Sequence, residues 1–200
     1  MQRPDAPRRG RPPSTTPAEI ARTALRLFAE RGFEQTTVDD IAAELGLHRR
    51  TLFRYFPSKN DIVWGDFEWV LRRLRELFAQ ADPAAPLMEA IAGAVVASNV
   101  YAPEELPELR IRMTLITTVP SLRAHSMLRY AAWRRVVAEF AAARLGVDPD
   151  ALVPQVIGDV ALATSMAAFR QWVRDPRSDL ERQLREAYDL LAHGFRLASG

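Results

Sequence analysis

The sequence predicts an all-α protein of about nine helices. Three observations carry this expectation. Apolar residues recur at i, i+3, i+4 and i+7 in successive segments, the spacing of one helix face. Thr or Ser heads several of these segments with an acidic residue three positions on, the pattern of a capping box. Pro and Gly punctuate the chain between segments, and no stretch alternates convincingly with the period of two that a strand requires.

The elements follow in order. Residues 1–15 read as a flexible basic arm, because four Pro fall within the first 16 residues and no apolar periodicity accompanies them. Arg8-Arg9-Gly10-Arg11-Pro12 within it suits insertion into a narrow minor groove, and a solvated tail explains it equally well. Thr16-Pro17-Ala18-Glu19 is a helix start: a cap, Pro at the first position, Glu at the third. Ile20, Ala24, Leu27 and Phe28 then form an apolar face that runs toward Arg31-Gly32-Phe33. Thr37 caps the next helix with Asp40 completing the box, and Val38, Ile41, Ala42 and Leu45 share one side. Gly46 stands where a helix ends in a left-handed residue. A third helix runs from about His48 to Phe56, is stopped by Pro57, and is expected to turn Leu52, Phe53 and Phe56 inward.

Ser58 to Asp61 is a further capping box, and it opens a long helix expected to reach about Gln80. That helix would physically join the N-terminal module to everything after it. Asp82-Pro83 and Pro86 mark a break before a helix over about Leu87–Val100. Pro103 and Pro107 bracket a loop, and another helix runs to about Thr118. Three more are expected: Leu122–Leu145, ended by Gly146, then Leu152–Val173 and Leu180–Leu197. The Asp175-Pro176 turn makes the last two an antiparallel pair.

The function-bearing stretch is Thr36 to Lys59. Two short helices joined by a Gly turn, the second basic and aromatic, form the helix-turn-helix that reads a DNA major groove. Arg49, Arg50 and Thr51 lie in the first turn of the second helix, the end that meets base edges. Arg can bond guanine O6 and N7 in a bidentate fork, and Thr can contact a thymine methyl. Tyr55 and Lys59 can reach phosphates. Thr37, at the head of the first helix of the pair, completes the expected DNA-facing set. The rival reading of the segment is a solvated basic helix in an ordinary bundle. Against it stand the capped first helix, the Gly turn and the flanking helices.

Charge supports the same reading. The net charge is only +2, but residues 1–60 hold 11 Lys or Arg against 7 Asp or Glu, a balance of +4, and the other 140 hold 16 against 18, a balance of −2. The basic share coincides with the motif, as a phosphate-facing module requires. There is no Cys, which excludes disulfides and thiolate metal sites. No signal peptide follows the basic N-terminus and no apolar run approaches the ~20 residues of a membrane span, so a cytoplasmic protein without membrane contact is expected. His48, His125 and His193 have no metal-ligand spacing, Asp39 and Asp40 face different ways, and neither a Gly-rich phosphate loop nor a nucleophile elbow is present. No enzyme activity, cofactor or metal is expected.

In the C-terminal part, large aromatics and adaptable Met can line a cavity for an apolar ligand. Leu74, Phe78, Met113, Trp133, Met166 and Phe169 are the candidates. Arg110, Arg112, Arg123, Arg129 and Arg134 lie among them in sequence and would suit a ligand with an acidic head. The second-last helix is apolar over a wide arc, which calls for burial on two sides. Gly158, Ala161 and Ala168 are small enough for close helix approach, with a second copy of the chain as one possible neighbour.

Three runs carry a family resemblance: Leu-Phe-Ala-Glu-Arg-Gly-Phe (Leu27 to Phe33), Thr-Thr-Val-Asp-Asp-Ile-Ala (Thr36 to Ala42) and Thr-Leu-Phe-Arg-Tyr-Phe-Pro-Ser-Lys (Thr51 to Lys59). Over about residues 15 to 65 the chain resembles the TetR family of one-component transcriptional regulators. Within that family the run from Arg49 to Glu68 resembles regulators associated with mycofactocin biosynthesis clusters.

The resemblance implies a helix-turn-helix DNA-binding domain over 16–60 and an effector-binding and dimerisation domain over 61–200. It also implies base contacts from Arg49, Arg50 and Thr51, and phosphate contacts from Tyr55 and Lys59. Phe53 stands where the family often has Tyr, and His48 where it has small or capping residues. The last two helices would pair with their copies in a four-helix dimer interface. The implied function is a repressor, a homodimer on double-stranded DNA with a pseudo-palindromic operator. A small apolar or acyl-type effector, with long-chain acyl-CoA as first choice, would release it. The alternatives are a helical small-molecule binding or scaffold protein whose basic N-terminus contacts an acidic partner, and a sequence-blind nucleic-acid binder. The helix-turn-helix speaks against the former and the modest net charge against the latter.

Overall fold

The computed structural model describes residues 15–194. The Arg8–Pro12 arm therefore lies outside the described residues, as does the last stretch of the C-terminal helix expected to reach Leu197. Among the described residues there are ten α-helices and no strand. The N-terminal module comprises α1 (Pro17–Arg31), α2 (Val38–Glu44) and α3 (Arg49–Tyr55). Next come α4 (Lys59–Trp64), α5 (Phe67–Ala79), α6 (Leu87–Ser98) and α7 (Leu106–Thr118). The long α8 (Pro120–Leu145) and α9 (Leu152–Arg174) and the shorter α10 (Leu180–Ala192) complete the bundle.

The local signals act as their chemistry dictates. Glu19 N–H donates to Thr16 Oγ1 at 3.2 Å, and Thr16 N–H donates to Glu19 Oε2 at 2.8 Å. The same reciprocal box closes α2: Asp40 N–H to Thr37 Oγ1 at 3.1 Å, Thr37 N–H to Asp40 Oδ2 at 2.7 Å. Hydrogen bonds to its carboxylate from the Thr37 hydroxyl and the Thr37 N–H hold Asp40 below the ordinary Asp pKa. One hydrophobic cluster runs through the molecule, from Ile20 and Phe28 of α1 through Leu52 and Ile62 to Trp172 and Tyr188. α1 packs on α4 and α7, so the N-terminal module sits directly on the bundle.

The expected helix from Ser58 to Gln80 is two helices. Gly65 adopts φ 60° and ψ −143°, a conformation that an L side chain resists, and α4 ends there. Asp66 then caps α5 by accepting from Trp69 N–H at 2.9 Å. This break accounts for the tenth helix. At the C-terminus α10 stops at Ala192, two residues before Gly194 at φ 61°.

Two residues expected at a cavity are core instead. Leu74 is fully buried, and Phe78 stacks on Phe140 with ring centroids 4.2 Å apart and planes 7° from parallel. α5 faces α6 and α8 at this level, so these side chains fill a helix junction.

The small residues of α9 are also corrected. A Cβ on Gly158 would lie 2.8 Å from the Arg134 carbonyl oxygen, so this Gly is where α8 and α9 approach. Ala161 and Ala168 are buried, and Tyr188 Oη donates to the Ala161 carbonyl at 3.0 Å from α10. All three small residues serve contacts within one chain and are not available to a second copy. The large apolar side chains exposed on the last two helices are Leu152, Val153, Val156 and Leu190. Contrary to the expectation that no apolar run approaches a membrane span, α9 is long and apolar enough, by length and composition, to cross a bilayer. It lies between α8 and α10 and carries Asp159, paired to Arg134 at 2.7 Å, as a helix of a protein bundle does.

Gly158→Ala should lower stability by about 1–3 kcal/mol, because the added methyl must push α9 off the α8 backbone. Thermal denaturation would show the loss, and light scattering would show an unchanged association state.

Candidate functional site

The surface of α3 is built by its own periodicity. Leu52 and Phe56, four residues apart, turn into the core. Phe53, expected to follow them, is exposed because it lies a further 100° round the helix. Its ring instead carries the Arg49 guanidinium at 5.3 Å, one turn away. Arg49 also pairs with Asp39 of α2 at 3.0 Å, across an exposed face. Arg50 is exposed and has no ion-pair or side-chain hydrogen-bond partner among the described residues. His48 precedes α3 without a side-chain capping bond, and its carbonyl accepts from Thr51 N–H at 2.8 Å. Thr51 is half-buried. Tyr55, also half-buried, lies beneath the Arg54 guanidinium at 5.1 Å. The exposed face of α3 therefore presents Arg49, Arg50, Phe53 and Arg54 together.

Two expected contact residues have internal tasks. The Thr37 hydroxyl is held in the α2 cap, donating to Asp40 Oδ2 at 2.6 Å. The Lys59 ammonium donates to the carbonyls of Phe33 at 2.8 Å and Thr36 at 3.2 Å, and lies 4.1 Å from the Phe33 ring centroid. Lys59 thus ties α4 to the loop between α1 and α2, with two of its three N–H bonds committed inside the protein.

α4 is fixed from three directions. Beyond Lys59, the buried Asp61 carboxylate accepts from Ser58 Oγ at 2.6 Å and from Arg129 Nη2 of α8 at 2.8 Å. His125 Nε2 lies 3.0 Å from the same Asp61 oxygen that Arg129 engages. Burial works to raise the Asp61 pKa, but the bonds from Ser58, Arg129 and His125 outweigh it and hold the group below the ordinary Asp value. At the far end of α4, Arg112 Nη1 of α7 donates to the Val63 carbonyl at 2.6 Å, while its Nη2 pairs with Glu108 at 2.8 Å.

A cavity of about 410 Å³ opens beside this joint. Four residues expected from sequence line it: Met113, Trp133, Met166 and Phe169. Trp64, Gly65, Tyr130 and Arg112 line it as well. Among the described residues Arg112 is the only cation in its lining; Asp66, Glu105 and Glu108 supply negative charge. The other arginines are engaged elsewhere. Arg110 bonds the Trp172 carbonyl and stacks on that indole, Arg129 holds Asp61, and Arg134 holds Asp159. Arg123 is exposed on α8. Burial pushes the Tyr130 phenol up to about 12. Its hydroxyl is without a hydrogen-bond partner among the described residues, and the nearby Ser126 hydroxyl donates to the Leu122 carbonyl at 2.7 Å. The Trp64 indole N–H is likewise without a partner. Trp64 and Tyr130 meet edge to face at 5.5 Å. The sequence signal for this wall was the Trp64-Gly65 pair, hidden inside a helix read as continuous.

A capped helix-turn-helix with a basic exposed face, joined through one short helix to a bundle with an apolar cavity, is the plan of a ligand-responsive transcriptional regulator. The chain belongs to the TetR family of bacterial regulatory proteins: that family matches residues 20–63, and the MftR C-terminal domain matches residues 85–196. The chain is 40% identical over 192 residues to the mycofactocin biosynthesis transcriptional regulator MftR of Mycobacterium tuberculosis, covering 96% of this chain and 97% of that one. Among solved structures, FadR of Thermus thermophilus in complex with lauroyl-CoA matches with a TM-score of 0.58 and 21% identity, over 92% of this chain and 97% of that chain. FadR of Bacillus subtilis in complex with stearoyl-CoA matches with a TM-score of 0.60 and 20% identity, over 88% and 97%. At that identity the structural likeness establishes the fold.

The low pKa of Asp61 gives a pH prediction. Its contribution to stability is complete above the ordinary Asp pKa and is lost as pH falls through the depressed folded value. Asp61→Asn should therefore destabilise the protein at pH 7 by about 1–3 kcal/mol, the scale of a charge-assisted hydrogen bond. The gap to the unmodified protein should close below about pH 4. Urea denaturation at several pH values measures both.

Proposed function

We propose that this protein is a dimeric repressor that acts on a pseudo-palindromic operator in the cytoplasm and is released by a long-chain acyl effector. The observation that carries the DNA part is the exposed face of α3. Arg50 stands there in the first helical turn with no internal partner among the described residues, next to Arg49. A free guanidinium at that position suits bidentate recognition of guanine. The family supports repression and dimeric binding, since its members include ligand-responsive repressors. The exposed Leu152, Val153, Val156 and Leu190 give α9 and α10 an apolar face that a second copy can cover. A two-fold assembly calls for half-sites about 34–36 Å apart.

The effector part rests on the cavity. Its volume falls within the range of small-molecule sites, and Met113, Met166, Trp133 and Phe169 supply apolar, adaptable walls. Acyl-CoA is the ligand class carried by two structural neighbours. With Asp66 and Glu105 exposed near the cavity, the phosphates of a CoA group have to extend away from them into solvent while the acyl chain enters.

Fluorescence anisotropy with an operator duplex selected from random sequences tests the DNA reading. Arg50→Ala should weaken operator binding by about 1–3 kcal/mol and relax the sequence preference at one or two base pairs. Equal losses on operator and scrambled duplexes would defeat direct readout by Arg50. Stearoyl-CoA and lauroyl-CoA, titrated into the complex with free CoA as control, test the effector. A tenfold loss of operator affinity requires only about 1.4 kcal/mol of coupling. No release by either acyl-CoA would remove this ligand class.

A further inference from the structure

We infer that Arg112 is the effector-sensing latch of this protein: it holds the end of α4 in the DNA-competent arrangement and lets go when it bonds an oxygen acceptor on an apolar ligand. The inference rests on the regulator reading above and deepens it, since it names the sensing residue and the ligand group that it senses.

Three observations meet at one side chain. First, Arg112 is the only cation that lines the cavity among the described residues. Its guanidinium has five N–H donors, and two atoms of the fork already engage the Val63 carbonyl and Glu108, so donors remain for a carbonyl or carboxylate oxygen. Second, the Val63 carbonyl belongs to the last turn of α4, where carbonyls have no partner within the helix, and Val63 itself is fully buried. Arg112 therefore caps that end, and a cation there also suits the helix dipole. Third, the fit depends on Gly65. A Cβ at that position would lie 2.8 Å from Arg112 Nη1, so the bare backbone lets the guanidinium reach past the chain break to Val63.

The other fastenings of α4 point the consequence toward DNA. Lys59 ties its first turn to the loop that precedes α2, and Asp61 ties it to His125 and Arg129 of α8. Among the described residues that fasten α4, Arg112 lines the cavity, beside Gly65, whereas Lys59, Asp61, His125 and Arg129 are not among its lining residues. A ligand oxygen that draws the guanidinium inward leaves the Val63 carbonyl buried without a partner. The end of α4 next to the Gly65 break is then free to shift, and α4 carries the helix-turn-helix with it. The ligand class is an apolar chain bearing one oxygen acceptor, the chemistry that an acyl thioester and a fatty acid share.

The test compares the full-length protein with Arg112→Gln and Arg112→Lys. Hydrogen exchange reads the α4–Gly65 segment, and operator binding is measured with and without stearoyl-CoA or stearate. Arg112→Gln should, without any ligand, exchange the Trp64 to Phe67 amides about tenfold faster and bind operator about tenfold more weakly, as though already induced. Added stearoyl-CoA should then change its operator affinity less than about twofold. Arg112→Lys should recover part of both properties, because an ammonium can still reach one carbonyl, and it serves as the readable variant if the Gln form does not fold. Release by stearoyl-CoA but not stearate, or by both, assigns the sensed oxygen to the thioester or to either group. An Arg112→Gln protein with unchanged exchange in α4, or one that binds operator normally and is still released in full, overturns the latch. Failure of the unmodified protein to prefer any duplex would defeat the regulator reading instead, and the exchange measurement would still decide whether Arg112 holds α4.

Discussion

The carboxylate of Asp61 holds two halves of this molecule in register. It is buried, and it stays ionised because Ser58, Arg129 and His125 surround it with hydrogen bonds. A charge in that position is costly unless every lone pair is engaged. That condition makes the contact demanding in geometry. α4 and α8 must keep a fixed spacing for the donors to stay within 3.0 Å. A greasy contact in the same place would tolerate sliding. An ionic one with three donors defines a position, and its loss leaves an unpaired charge behind. The DNA-binding module inherits its orientation from this joint, because Lys59 lies two residues away on the same six-residue helix.

The legibility of the chain follows from how local each signal is. The α1 and α2 caps were readable because both partners of each box lie within four residues. The boundary of α3 was readable because Pro57 forbids continuation. The break at Gly65 was not, although the glycine was in plain view. An isolated Gly inside a helical pattern is usually tolerated, and what makes this one decisive is Arg112, 47 positions later in sequence, placed where its Cβ would be. Sequence reasoning sees the residue and misses the neighbour.

The same limit explains the small residues of α9. Gly158, Ala161 and Ala168 do mark close helix approach, as their size suggests. Size alone does not say which helix approaches. Here the neighbours are α8, through the Arg134 backbone, and α10, through Tyr188. The arginines show the complementary error. Five of them fall among apolar residues in sequence, yet Arg110, Arg129 and Arg134 each bond a carbonyl or carboxylate of a residue that does not line the cavity. A cation near apolar residues in sequence is more often a helix-to-helix fastener than a ligand-binding group, and spacing cannot tell the two apart. Leu74 and Phe78 differ from Met113 and Met166 for a related reason: the former face a helix junction and the latter a gap between helices, a distinction set by how α5 and α7 cross the long helices.

That arrangement gives α4 an unequal pair of fastenings, and the inequality carries the regulatory argument. The Asp61 end is closed off by three donors and lies outside the main cavity. The Val63 end depends on one guanidinium that is also part of the cavity wall. A ligand can shift an equilibrium only by its difference in affinity for the two states. The proposed latch supplies such a difference without any large rearrangement, because the same donor would serve the helix in one state and the ligand in the other. In the proposed latch, with the Asp61 end held, loss of the Val63 bond would turn α4 about its first turn rather than release the whole helix. Rotation about a fixed end is what changes the separation of two recognition helices in a dimer. Since successive major grooves lie one helical turn apart on the same face of DNA, a small change in that separation is enough to break the match.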